Sequence, residues 1–285
     1  MKTGVTGATG QLGRMVIEKL IEKVSSEIIV ALVRSPQKAL DLGVEAREFD
    51  YNKTENLVNA LKGIDNLLLI SANEIGKRAT QHKNVIEAAK KAGVKWIVYT
   101  SILRADTSTL SLAGEHLATE AALKESGIQY TLLRNGWYTE NYTGSVKGAV
   151  AGGAFLGSAG YGKISSAVRS DFAEAAALVL TGGHNHKGNI YELAGDEAYT
   201  LADLAAEISR QTGKDIPYKN LPENEYAAIL KSFGLPDGYA NAIAGWDISA
   251  SKGDLFDNTH QLSKLIGKPT TPLAKAIETA LTMAS

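Results

Sequence analysis

The stretch Thr6-Gly-Ala-Thr-Gly-Gln-Leu-Gly-Arg14 places three glycines, Gly7, Gly10 and Gly13, three residues apart. It follows a short apolar run and precedes a segment in which Leu12, Met15, Val16, Leu20 and Ile21 recur at helical spacing. A strand that turns at once into a helix presents unpaired backbone N–H groups, and with the helix dipole these favour a phosphate. Gly7 permits a tight turn, Gly10 lets a pyrophosphate approach the backbone, and Gly13 lets the helix lie close to the strand. An ordinary strand-to-helix turn needs one glycine. Three in this context point to a bound dinucleotide.

The second strand decides which dinucleotide. A carboxylate at its end takes the ribose 2′-OH of NAD, whereas an arginine accommodates the 2′-phosphate of NADP. The sequence there reads Ala31-Leu-Val-Arg34-Ser-Pro-Gln-Lys38, with two cations and no acid. A solvated loop arginine is the plain alternative, but Arg34 closes the strand, so NADPH is the expected cofactor. Asp50-Tyr51 either flanks the adenine or forms a surface turn.

Other chemistry-bearing patterns fall short. Gly157-Ser-Ala-Gly-Tyr-Gly162-Lys163 matches most of a P-loop, but Ile164 stands where magnesium binding needs Ser or Thr. His184 and His186 have no carboxylate nearby, and no metal site is expected. The G-x-S-x-G elbow of hydrolases does not occur.

The elements that position the glycine turn and Arg34 are legible from periodicity. Strands are expected at Lys2–Thr6, Ile28–Val33, Val44–Glu48, Asn66–Ile70, Trp96–Thr100 and Tyr130–Leu133, with helices over Gln11–Lys23, Thr54–Lys62, Ile75–Ala92 and Ser111–Ser126. The runs Ile28–Val33 and Leu67–Ile70 are apolar throughout, as in strands buried on both faces. The fold class is therefore α/β, a doubly wound, Rossmann-like parallel sheet with a second, smaller, mostly helical C-terminal domain. Residues 1–135 form the dinucleotide-binding domain, completed by 163–182 and a strand near 189–193. Residues 136–162 and 196–285 form the smaller, substrate-covering domain. A helix over Ser170–Leu180 is expected, with Asp171 and Glu174 as a capping box, and Thr200–Met283 is mostly helical.

Bulk composition narrows the function. The chain has 285 residues, 44% of them hydrophobic, enough for one large core or two smaller ones. Thirty basic and 31 acidic residues nearly cancel, so bulk charge implies no nucleic-acid partner. Cysteine is absent, which excludes disulfides, thiolate metal sites and cysteine nucleophiles, and suits a cytoplasmic location. No apolar run approaches the ~18 residues of a membrane span.

With these elements placed, the first 135 residues resemble the short-chain dehydrogenase/reductase superfamily. Most members use a tyrosine with a lysine four residues on, and the lysine lowers the tyrosine pKa for proton exchange with a carbonyl or alcohol. None of the eleven tyrosines here has that lysine. At the corresponding helix the sequence reads His116-Leu-Ala-Thr-Glu120. His116 and Glu120 share a helix face, either as an ordinary surface pair or with His116 binding an acceptor oxygen or supplying a proton. The absence argues against routine alcohol–carbonyl chemistry. It leaves hydride transfer to a quinone or conjugated dye, or a cofactor sensor without turnover.

The departure points to a subfamily. The glycine motif, Leu67-Leu-Leu-Ile-Ser71, Tyr99-Thr-Ser101, Leu132-Leu-Arg-Asn-Gly-Trp-Tyr-Thr-Glu-Asn-Tyr142, Val168-Arg-Ser-Asp171 and Ser263-Lys-Leu-Ile-Gly-Lys-Pro269 together resemble the NmrA-like atypical reductases. Among these the chain is similar to the bacterial NAD(P)H:quinone oxidoreductases of type 2, and more distantly to triphenylmethane dye reductases. The resemblance implies NADPH along the carboxyl edge of the sheet, at the mouth of a cleft between domains, with direct hydride transfer and no flavin. It assigns Gly7, Ala8, Thr9, Gly10, Gln11 and Leu12 to the pyrophosphate, with Gly13 completing the motif, and Arg34 to the 2′-phosphate. Ser71, Glu74, Ile75 and Gly76 line the cofactor, Tyr138, Thr139, Glu140, Asn141, Tyr142 and Thr143 border the nicotinamide, and Arg169 reaches toward it. His116, Asn141 and Tyr142 are the candidate catalytic residues, as positioners of the acceptor. Trp137 is expected to be structural and Trp246 to lie in the core.

The expected protein is thus an NADPH-dependent reductase of a small quinone or aromatic acceptor, monomeric or homodimeric. The alternatives are a redox sensor that binds NADP(H) without turnover, and a reductase of aromatic dyes or enones.

Overall fold

The computed structural model describes residues 1–282. In chain order it begins with β1 (Lys2–Thr6), α1 (Gln11–Ile21), β2 (Ile29–Val33), β3 (Glu45–Glu48), α2 (Thr54–Ala60) and β4 (Ile64–Leu69). There follow α3 (Arg78–Ala92), β5 (Trp96–Ile102), α4 (Ala113–Ser126), β6 (Gln129–Asn135), α5 (Glu140–Thr143), α6 (Val146–Gly152) and β7 (Phe155–Gly157). The chain continues through α7 (Arg169–Gly182), β8 (Ile190–Leu193), α8 (Leu201–Thr212), β9 (Tyr218–Asn220), α9 (Glu223–Ser232), α10 (Asp237–Ser251), α11 (Gln261–Ile266) and α12 (Leu273–Thr282). Two compact units result. The first comprises Met1–Asp106, Leu112–Asn135 and Arg169–Leu193; the second comprises Thr107–Ser111, Gly136–Val168 and the chain from Ala194.

The first unit is a seven-stranded sheet in the order β3-β2-β1-β4-β5-β6-β8, and every pairing in it is parallel. This is the doubly wound sheet that the alternating pattern implies. All five residues of β2 are buried, as its unbroken apolar run requires, and all seven of β5 are buried although Thr100 and Ser101 are polar. Gly4 sits inside β1 because a Cβ there would press on Leu32, Ile64 and Leu67 at 3.0–3.3 Å. Strand order reverses between β1 and β4, the switch point at whose carboxyl side open α/β sheets bind ligands. Crossover helices between parallel strands run against the strand direction, so α1 and α7 both start at that carboxyl edge. They pack side by side, with Lys23 Nζ 2.9 Å from Glu174.

The second unit gathers α5, α6 and α8 to α12 with a two-stranded parallel sheet, β7–β9. Those strands have three residues each, too short to show a period in the sequence. The expected helical stretch to Met283 runs one residue past the described part.

Three expectations shift. Residues 163–168 lie in the second unit, because Ile164 pairs with Tyr199 and Ala167 bridges to Tyr138. Helix α7 begins at Arg169, so Asp171 lies within its first turn and is no N-cap, while Glu174 pairs with Lys19 and Lys23. Helix α3 begins at Arg78, three residues late, because Gly76 takes φ +89° just before it.

Candidate functional site

At the switch point, Gly7 takes φ +59° and its carbonyl accepts from Gly10 N–H at 2.8 Å. Gly10 is the N-cap of α1, and no side chain caps that helix. No acidic residue lies in its first turn, so nothing offsets the positive end of the dipole. Gly13 explains the closeness of helix and turn. A Cβ there would lie 2.3 Å from Gly7 O and 2.7 Å from Ala8 Cα. Ala8 and Leu12 are buried, whereas Gly7, Gly10 and Gln11 are exposed.

The carboxyl end of the sheet is held rigidly under this turn. Thr6 Oγ1 donates to Leu68 O at 3.1 Å and accepts from Ile70 N–H at 2.9 Å. The Tyr51 hydroxyl lies 2.6 Å from Thr6 Oγ1 and 2.9 Å from Ile70 O, tying β1 to β4. Tyr51 is therefore a clamp at the switch point.

Arg34 is exposed directly after β2, with no hydrogen bond or ion pair among the described residues. Arg14, the other guanidinium nearby, is committed: it binds Asp41 at 2.6 Å and Lys38 O at 3.0 Å. It thereby fastens α1 to the turn that follows Arg34. Glu74 is held below the usual carboxylate range by its hydrogen bond from Lys77, by Gln81 and, more weakly, by the charge of Arg34. A phosphate at Arg34 would share that cation with Glu74.

The loop after β4 is organised by a residue the sequence did not single out. Glu115 accepts from Gly76 N–H at 3.1 Å and from Arg78 N–H at 2.9 Å, and so caps α3 from the neighbouring helix. Ile75 is exposed beside it. Arg78 Nε donates to Ala72 O at 2.7 Å and adds a cation at this edge. No local signal marks either residue, because their roles arise only when α3 and α4 pack. Ser71 N–H donates to Thr100 Oγ1, and Ser71 Oγ is buried without a hydrogen-bond partner. Asn135 Oδ1, at the end of β6, is orphaned in the same way. Buried polar atoms of this kind call for a ligand or water. Together with the uncapped glycine turn and Arg34, they fit a phosphorylated dinucleotide. Arg169 heads α7 at the same edge.

Helix α4 carries His116 and Glu120, the pair singled out in the sequence. His116 is buried, and its Nδ1 lies 2.8 Å from the Tyr99 hydroxyl. Burial, reinforced by the charge of Arg78, pulls its pKa down to about 3. Glu120 is locked by Arg134, which meets it at 3.0 and 2.8 Å and also binds Glu192 and Asp106. Ser101 Oγ donates to the same carboxylate at 2.6 Å. The pair is thus no surface pair: one member is a buried ring bonded to Tyr99, and the other is held in an ion network centred on Arg134.

The residues from Tyr138 to Thr143 lie in the second unit. Thr139 and Thr143 are buried, Tyr138 and Glu140 are half-buried, and Asn141 is exposed. Thr139 Oγ1 meets Ser166 Oγ at 2.8 Å. Tyr142 is buried, and its hydroxyl donates to Asp247 Oδ1 at 3.3 Å. Asp247 also accepts from Ser158 N–H at 2.8 Å, and burial raises its pKa to about 6. Trp137 and Trp246 pack edge to face, 5.5 Å apart, within this unit. After Gly157 to Lys163 no helix begins, and Ile164 enters a bridge to Tyr199. Among the described residues no three His, Asp or Glu side chains gather as a metal site, and no helix is long and apolar enough to cross a membrane.

Residues 7–182 match a family described as NAD(P)H-binding. Quinone oxidoreductase 2 of Escherichia coli (strain K12) is 56% identical over 276 residues, covering 96% of this chain and 96% of the relative. The crystal structure of NADPH-dependent quinone oxidoreductase complexed with NADPH, also from Escherichia coli, superposes with a TM-score of 0.96 at 55% identity, covering 98% of this chain and 100% of that one. Triphenylmethane reductase of Citrobacter sp. complexed with NADP(H) superposes with a TM-score of 0.94 at 38% identity, covering 98% and 100%.

Proposed function

The chain belongs to the NAD(P)H-binding family, and we propose that within it this protein is an NADPH-dependent oxidoreductase that reduces a quinone-like acceptor. The observation that carries the acceptor is the 56% identity to a quinone oxidoreductase over 96% of both chains. NADPH, when bound, supplies the hydride directly, without a flavin.

The residues of the chain bind and orient. The uncapped first turn of α1, from Gly7 to Gly13, receives the pyrophosphate, and Arg34 receives the 2′-phosphate. Ser71 Oγ and the loop from Glu74 to Gly76 line the cofactor, and Arg169 approaches it from the start of α7. Tyr138 through Thr143 are assigned to the nicotinamide and acceptor, and Asn141 is the exposed side chain among them. Tyr142 serves this segment by anchoring it on Asp247. An aromatic acceptor spreads the added charge over its ring, so positioning does more than acid catalysis here. His116→Ala accordingly lowers the rate by ~10-fold or less.

The test is NADPH oxidation by the purified protein against a series of quinones. Saturable turnover with the NADPH rate exceeding the NADH rate is the expected result. Tight NADPH binding with no turnover of any quinone overturns the reading in favour of a sensor.

A further inference from the structure

Two histidines, both buried, lie in the first unit within one row of rings. Tyr51, His82, Tyr99 and His116 follow one another with centroids 5.4–6.2 Å apart. The two histidines are used differently. His82 Nε2 accepts from Ala72 N–H at 2.9 Å, and its Nδ1 meets Thr119 Oγ1 at 2.8 Å. Thr119 Oγ1 in turn donates to Glu115 O at 2.9 Å. Both nitrogens of His82 are therefore occupied, which fixes the Nδ1–H form and makes it a structural joint between α3, α4 and the loop after β4. His116 spends only Nδ1, on Tyr99. Its Nε2 has no hydrogen-bond partner among the described residues, although the side chain is 5% exposed.

The tautomer of His116 follows from Tyr99. Burial keeps the phenol protonated far above neutrality. Among the described residues its hydroxyl makes a hydrogen bond to His116 Nδ1, while Thr119 and Ser71 also lie close enough to act on the phenol. If Nδ1 carried the ring proton instead, the phenol proton would lose the one acceptor it meets in a hydrogen bond among the described residues and be left to turn toward Thr119 or Ser71, and a buried donor without a partner costs roughly 1–3 kcal/mol. The ring proton therefore resides on Nε2.

We propose that Tyr99 is a positioning residue that holds His116 in its neutral Nε2–H form, and that this N–H donates to a carbonyl oxygen of the bound acceptor. The proposal rests on the reading of this protein as a quinone reductase. It makes His116 a polarising donor and removes it as a proton source. The groups acting on the ring are consistent with this: Arg78 and His82 from α3 and Tyr99 from β5, with Thr119 and Glu120 from α4 acting on the Tyr99 phenol. The nearest cation, Arg78, opposes a positive imidazole. A neutral imidazole is then the stable form across the physiological range. In the reaction the hydride carries its electron pair to the quinone, NADPH becomes NADP, and the quinone becomes a hydroquinone monoanion. One proton from solvent water completes the hydroquinone. The His116 N–H is present before and after and is not consumed.

Nitrogen-15 NMR of the full chain with NADP bound tests the tautomer without turnover. The expected result is a protonated His116 Nε2 with no titration between pH 5.5 and 8. An unprotonated Nε2, or a ring that titrates near its ordinary value, overturns the proposal. Kinetics test the role. Tyr99→Phe should mix the tautomers and lower kcat with a quinone by ~3- to 10-fold, with KM for NADPH unchanged. Thermal unfolding of that variant is followed in parallel. His116→Gln keeps an N–H near the Nε2 position and should retain more of kcat than His116→Ala. Equal kcat for the Gln, Ala and parent proteins overturns the donor role, even with the tautomer as stated. Absence of turnover in the parent protein strikes the quinone-reductase reading, while the NMR result still reports on the tautomer.

Discussion

Arg134 grips Glu120 through two hydrogen bonds, Nε to Oε1 at 3.0 Å and Nη2 to Oε2 at 2.8 Å, with both side chains almost wholly buried. The ion pair joins α4 to β6. Glu120→Ala strands a buried guanidinium that keeps only Glu192 and Asp106. We expect a loss of about 3 kcal/mol in urea unfolding. An unchanged midpoint would show that the remaining carboxylates suffice.

Gly13→Ala should damage the cofactor turn without touching any side chain. The added Cβ would lie 2.3 Å from a backbone oxygen, so helix and turn must part. A loss of ~1–3 kcal/mol in stability is expected, together with at least ~10-fold weaker NADPH binding by calorimetry. Parent-like affinity would mean that phosphate recognition does not depend on that packing.

Arg34→Asp should separate the two cofactors. A charge-assisted hydrogen bond to phosphate contributes ~1.5–3 kcal/mol, so NADPH binding should weaken by ~10- to 100-fold and NADH binding far less. Equal weakening of both would refute the 2′-phosphate assignment. Glu74→Gln, which removes the carboxylate near Arg34, should shift NADPH affinity in the opposite direction.

Asp247 should make stability depend on pH. Its folded pKa of about 6 lies above the ordinary value of ~3.9, so the folded chain binds the extra proton between them. The carboxyl group therefore favours folding fully below pH ~4, and that contribution falls as the pH rises toward 6. By pH 7 the ionised group costs up to about 3 kcal/mol. Asp247→Asn should flatten the decline in urea stability between pH 4 and 6.5. Parallel curves for variant and parent would show that Asp247 does not titrate in that window.

Much of the fold and part of the candidate site are visible one segment at a time. The strands of the first unit, the glycine turn and Arg34 depend on backbone geometry and on patterns repeating every two to four residues. Such patterns are written within a few residues of one another. The short β7–β9 pair left no trace, because three residues carry no period.

The partners of the polar side chains lie beyond that reach. Glu115 caps a helix that begins 37 residues before it, Arg134 meets Glu120 fourteen residues away and Glu192 fifty-eight residues away, and Tyr142 meets Asp247 across 105. Residue type and spacing pointed to a phosphate-binding turn and to Arg34 as a cation for a 2′-phosphate, and showed the lack of a tyrosine–lysine pair. That His116 is a buried ring bonded to Tyr99, and no member of a surface pair, was decided by the packing of α4 on β5 and by the removal of water around both. Desolvation and long-range pairing set the protonation of a side chain, and neither exists until the sheet and its helices have assembled.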